Sequence, residues 1–156
     1  MATGILHLHN ILRWAVLLFG LLTLLTALRG LNGKRDFTNG DKRTALYFLI
    51  SADLQLLIGL ALYFMNGTYR NFNAGMGTVM SDPAMRFWTV EHPAGMLLGI
   101  ILVHVGYSGT KGNRPHVKKF RRLFWCSLIA IAVVAASIPW PGRELVGRGL
   151  FPGMAN

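Results

Sequence analysis

A single cysteine, Cys126, is all the thiol chemistry that this 156-residue chain holds. It excludes an internal disulfide and any thiolate metal cluster of the zinc-finger kind, and leaves a small buried residue as the expected role. Charge is scarce as well. Asp, Glu, Lys and Arg together make 14% of the chain against 53% hydrophobic residues, a balance too apolar for an ordinary soluble domain of this size. No connection is long enough to house such a domain separately. The longest, Asn66–Ser81, is rich in Gly and Asn and reads as a flexible loop with no core of its own. Internal repeats are absent beyond shared hydrophobicity. The first apolar block has no basic stretch before it and exceeds the about 7–15 apolar residues of a secretory signal, so it is expected to be retained as a helix.

What the chain does have is four apolar blocks: Ile5–Leu28, Ala45–Met65, Phe87–Tyr107 and Leu123–Trp140. Each reaches the about 20 residues that a helix needs to cross ~30 Å of hydrocarbon. Backbone groups find no water there, so helices are the only form this composition allows. Ser81-Asp82-Pro83 has the pattern of a helix start, a capping side chain followed by proline in the first turn. The third span is therefore expected over residues 83–107 and the fourth over residues 122–140. Pro93 lies inside the third, where it removes one backbone hydrogen bond and predicts a kink next to His92. The fold class predicted is all-α: a single-domain integral membrane four-helix bundle with short loops.

The distribution of positive charge orients that bundle. Arg29, Lys34, Arg35, Lys42 and Arg43 fall between spans one and two, and Lys111, Arg114, Lys118, Lys119, Arg121 and Arg122 between spans three and four. The second-to-third connection holds only Arg70 and Arg86, and the C-terminal tail Arg143 and Arg148. Short loops rich in Lys and Arg stay cytoplasmic, which places both termini outside. The net charge of +10 is read as topology and contact with anionic lipid heads, not as nucleic-acid binding. Trp88 and Trp140 fall at the outer ends of their spans, where aromatic belts form. The Gly95/Gly99 pair has the spacing that lets another helix approach closely. Expected partners are the lipid bilayer and either other membrane subunits or further copies of the chain.

Ionisable side chains inside such spans mark sites. His7 and His9 open the first span, and Glu91 and His92 stand near the start of the third. Both spans run in the same direction, so these residues share the outer leaflet. His7 and His9 project roughly 200° apart on a helix. His9 shares its face with Arg13, Gly20 and Ala27, a polar and small stripe suited to the bundle interior. His7 shares its face with Ile11, Trp14, Leu18 and Leu25, which suits lipid. His9 and His92, at matching depth on parallel spans, have the placement of two axial nitrogens for a haem between helices. A metal site built from His9, His92 and Glu91, with His7 as a further donor, uses the same residues. So do two interfacial histidines paired to backbone or to Glu91. His104 is about 18 Å further along the third helix, with no histidine opposite. It reads first as a lone hydrogen-bonded side chain, with half of a second haem site shared with His116 as the alternative.

Two more charges need partners. Arg13 on the first helix and Asp53 on the second have estimated depths that agree within about one turn, which predicts an Arg13–Asp53 ion pair, since either charge alone is expensive there. Neutralising a haem propionate is the alternative for Arg13. Ser51, Gln55 and Tyr63 add polar groups to the second helix, compatible with a quinone pocket or with interhelical hydrogen bonds.

The segments Leu6–Trp14 (LHLHNILRW), Leu54–Phe64 (LQLLIGLALYF), Arg86–His92 (RFWTVEH) and Ser137–Pro141 (SIPWP) resemble a group of small four-span bacterial proteins, notably of Bacteroidetes-type bacteria, that carry the label "cytochrome B". The resemblance extends over all four spans. It implies a haem b membrane electron carrier of the bacterial inner membrane, with termini in the periplasm and possible exchange with quinone or a respiratory complex. Its motif histidines fall on His7, His9 and His92, with Glu91 beside the last. An accessory subunit of a larger respiratory or photosynthetic assembly is the second class. A metal-binding membrane protein or small transporter is the third, although the polar residues cluster at one end instead of lining a path.

Overall fold

The structure is a computed structural model that describes residues 2–153. Its described residues form helices joined by turns and irregular segments, without strands, and four helices are long and apolar enough to cross a membrane. These are α1 (Ala2–Arg29), α2 (Asn39–Met65), α4 (Pro83–Ser108) and α5 (His116–Ser137). A short 3-10 helix (Thr68–Ala74) and α3 (Met76–Ser81) occupy the second connection, which is therefore folded and not the loop its composition suggests. Val79 of α3 is fully buried, and Asn71 donates to the Thr89 hydroxyl at 2.8 Å.

The helices pack in the cyclic order α1, α2, α4, α5, which sets α1 and α4 on a diagonal. One core cluster takes Val16, Phe48, Val103 and Ala130, one from each helix; a second takes Ala27, Ala45 and Leu123 toward the basic connections. Close approach depends on small residues. A Cβ at Gly99 would come within 2.7 Å of Val134, and one at Gly95 would overlap Ser137. The glycine pair is used for the α4–α5 contact inside this chain. Cys126 sits at the same contact beside Gly106, but it is half-buried, not buried as expected. Leu8, Leu18, Leu21, Leu25, Leu57 and Ile101 are exposed on the outside. In water such a surface would be an aggregation liability; against lipid tails it is the ordinary condition of a bundle in a bilayer.

Helix limits follow local chemistry more than hydropathy. α2 starts six residues before its apolar block because Thr38 and Asp41 form a reciprocal capping box, with Asp41 also paired to Arg35. Such a box satisfies two orphan amides at once. α5 starts at His116, directly after Pro115, and ends at Ser137 instead of running on to Trp140. The residue before a proline is pushed out of the helical region, and Ile138, preceding Pro139, is extended (φ −73°, ψ 135°). In α4 the disruption expected at Pro93 takes the form of a π-helical turn over Phe87–Glu91, closed by the His92 amide donating to the Phe87 carbonyl. A proline cannot donate to the carbonyl four residues earlier, here that of Thr89. The Tyr63 hydroxyl of α2 donates to it instead, at 3.3 Å.

Candidate functional site

The end of the bundle that carries both termini gathers most of the polar chemistry. His9 of α1 and His92 of α4 face one another across the diagonal, with ring centroids 6.4 Å apart and ring planes at 69°. His92 Nδ1 lies 2.8 Å from the carbonyl oxygen of Ser137. That carbonyl is free because α5 stops there: the last carbonyls of a helix have no partner within it. A carbonyl oxygen only accepts, so Nδ1 carries the proton and Nε2 keeps its lone pair. Such a bond fixes both ring orientation and tautomer of a ligating histidine. Phe87 and Trp88 flank the ring, each with its centroid 5.8 Å away.

α2 provides the seat for His9. Gln55 donates to the His9 carbonyl at 3.0 Å, and a Cβ at Gly59 would meet His9 Cε1 at 3.1 Å. Only a residue without a side chain leaves the imidazole its ordinary clearance. Among the described residues, the buried side-chain atoms without a hydrogen-bond partner are His7 Nδ1, His9 Nδ1, Arg13 Nε and Gln55 Oε1. All four belong to this end of α1 and the facing turns of α2. Buried polar atoms are nearly always satisfied, and these four exceptions cluster beside the histidine pair. His7 is half-buried and contributes one of them, and so does not lie simply on the lipid face as its helical phase suggests.

The C-terminal segment, unremarkable in sequence, closes this end. After the Pro139 and Pro141 turn it folds back across the bundle. The Leu150 carbonyl accepts from Arg13 Nη2 at 2.7 Å and from Trp14 Nε1 at 3.1 Å. Phe151 stacks on Trp14, while the guanidinium groups of Arg143 and Arg148 lie over Phe87 and Trp88 at 4.7 and 5.2 Å. Arg13 itself is 5% exposed and lies over Trp14 and Trp140. The only hint in sequence is the coincidence of arginines and an aromatic residue in the tail with tryptophans on the helices. Spacing alone cannot pair them.

Two expectations are corrected. Arg13 and Asp53 do not pair. Asp53 accepts from no arginine but lies 2.8 Å from His104 Nε2, on the α2–α4 seam where both side chains are partly exposed. The difference lies in direction around the α2 axis. Gln55 faces α1, and a residue two positions away points roughly 200° around the helix, toward α4. Glu91 likewise turns away from the histidines. It is exposed and bonded to Arg86 Nε at 2.7 Å, because one residue of helix separates its direction from that of His92 by about 100°. Among the described residues no three His, Cys, Asp or Glu side chains are grouped to hold a metal ion, so the site expected from His9, His92 and Glu91 is not formed. His116 lies beside Asp36 at 2.8 Å at the opposite end of the bundle, while His104 is engaged with Asp53, so the two do not face one another as a second pair.

The donor set fits a bis-imidazole group. Two imidazoles ligating one metal from opposite sides at about 2 Å each bring their ring centres roughly 6 Å apart, and the observed separation is 6.4 Å. The unpartnered Arg13 Nε adds a cationic donor for an acidic substituent. Comparison with known proteins returned no matching family pattern, curated protein or solved structure.

Proposed function

We propose that the protein is a haem b-binding membrane electron carrier, with His9 and His92 as axial ligands, Arg13 as partner to a propionate and His7 beside them. The observation that supports it most is the facing of the two imidazoles at 6.4 Å from diagonal helices, one of them held by Ser137. When bound, haem supplies one-electron redox chemistry. The chain's own residues do the rest. The Ser137 carbonyl holds the His92 proton on Nδ1, Gly59 leaves room for His9, Phe87 and Trp88 flank the His92 ring, and Trp14, Trp140 and the folded-back tail cover Arg13. Exchange of electrons with quinone or a respiratory complex is part of the same reading. So is a location in the bacterial inner membrane, with the basic connections cytoplasmic and the termini periplasmic.

The test is an optical spectrum of purified protein, expressed with haem precursor and reduced with dithionite. A sharp b-type band, lost in His9→Ala and in His92→Ala while both variants stay folded, is the expected result. A colourless wild-type preparation under those conditions overturns the reading. A second class, a non-catalytic subunit of a larger membrane complex, is favoured by one observation: the Asp53–His104 pair is partly exposed on an apolar outer face, where a neighbouring membrane protein would shield it.

A further inference from the structure

At the basic end of the bundle two adjoining cavities, of about 250 and 310 Å³, share Asn39 and Lys42 as walls. The first is a polar bowl carrying Lys42, Lys111 and Lys119 around Thr38 and Thr110. The second opens past Arg43 toward Leu46 and Tyr107. Neither is lined by a carboxylate; Asp41 is bound to Arg35, and Asp36 is exposed beside His116. The lysine heads are held in place by aromatic shelves: Lys111 Nζ lies 5.1 Å from the Tyr107 ring centre and Lys119 Nζ 5.6 Å from that of Phe37. Leu46 is one turn from the exposed Ile50, so the second cavity leads from the cationic bowl onto the seam between α2 and α4, which is apolar up to the Asp53–His104 pair about two turns beyond Leu46. A basic hollow whose exit is a lipid-facing groove has the shape of one ligand class, an acidic head joined to acyl chains.

We propose that these cavities bind an anionic phospholipid. Its phosphate sits among Lys42, Lys111 and Lys119, and its acyl chains leave past Leu46 and Tyr107 along the α2–α4 seam. Lysine ammonium groups suit a phosphodiester as point charges, and basic pockets between membrane helices recognise such heads. The site lies at the opposite end from the histidines and is independent of haem.

Native mass spectrometry of the detergent-purified full chain tests it, with phosphatidylglycerol, phosphatidylcholine and inorganic phosphate as probes. One phosphatidylglycerol per chain is expected to be retained in preference to phosphatidylcholine. The triple variant Lys42→Ala/Lys111→Ala/Lys119→Ala is expected to lose retention at least about tenfold more than Lys34→Ala/Arg114→Ala/Lys118→Ala, which removes the same charge from exposed positions. Leu46→Trp, which fills the chain exit and changes no charge, should also weaken retention. Equal loss in both triple variants would show diffuse attraction and overturn the proposal. Undiminished binding in the cavity variants overturns it too, as does displacement of the lipid by inorganic phosphate at matching concentration.

Discussion

Replacing Arg13 by Met should release the C-terminal tail while leaving the bundle folded. Methionine keeps most of the apolar stem and removes the guanidinium. The hydrogen bond from Nη2 to the Leu150 carbonyl, at 2.7 Å, has a charged donor and contributes about 1.5–3 kcal/mol. The placement over Trp14 and Trp140 contributes about 0.5–2 kcal/mol in a site this dry. Losing both weakens tail docking by roughly 2–5 kcal/mol, a factor of about 30 or more at 1.4 kcal/mol per tenfold. Global stability should fall by less, because the variant no longer buries a charge. Hydrogen exchange reads the difference directly. The amides of Gly147 and Arg148 donate to the Arg143 and Pro139 carbonyls, and their protection should drop about 30-fold in Arg13→Met while that of the α2 interior is kept. Asp53→Ala should leave tail protection unchanged, since Asp53 faces His104. Unchanged protection in Arg13→Met, or equal loss in Asp53→Ala, would refute the assignment of Arg13 to the tail.

Other consequences separate the packing arguments from one another. A double-mutant cycle of Asp53→Asn with His104→Gln should show a coupling of about 0.5–2 kcal/mol, in the range of interhelical polar pairs in membranes; the cycle of Asp53→Asn with Arg13→Met should show none, and the reverse ranking would restore the expected ion pair. Gly99→Leu should cost at least about 1–3 kcal/mol by overpacking against Val134, read as a lower thermal midpoint in detergent, whereas a wild-type midpoint would show that the α4–α5 contact is looser than described. Tyr63→Phe should destabilise by about 1–3 kcal/mol because it orphans the Thr89 carbonyl. Its effect should shrink in a Pro93→Ala background, where that carbonyl regains an amide, and equal effects in both backgrounds would disconnect Tyr63 from the proline.

Composition alone determined the bundle. Four blocks of about 20 apolar residues admit only helices in a bilayer, and helical phase correctly turned His9, Arg13, Gly20 and Ala27 inward. Position along an axis was equally legible: His9 and His92 meet at the depth that rise per residue assigns. What the tertiary structure alone decided was azimuth between helices and the path of the tail. Asp53 and Glu91 lie at plausible depths for the predicted partners but point elsewhere, because a shift of one or two residues rotates a side chain by about 100° or 200°. The relative rotation of two helices follows from packing, as at Gly59, Gly95 and Gly99, and leaves no mark in either helix's own sequence. The return of Leu150 to Arg13 depends on contacts between residues 137 positions apart, which local patterns do not encode. The histidine pair is thus foreseeable from the sequence, whereas its surroundings, with Ser137 behind one ring and the tail docked on the neighbouring Arg13, Trp14 and Trp88, follow only from the folded chain.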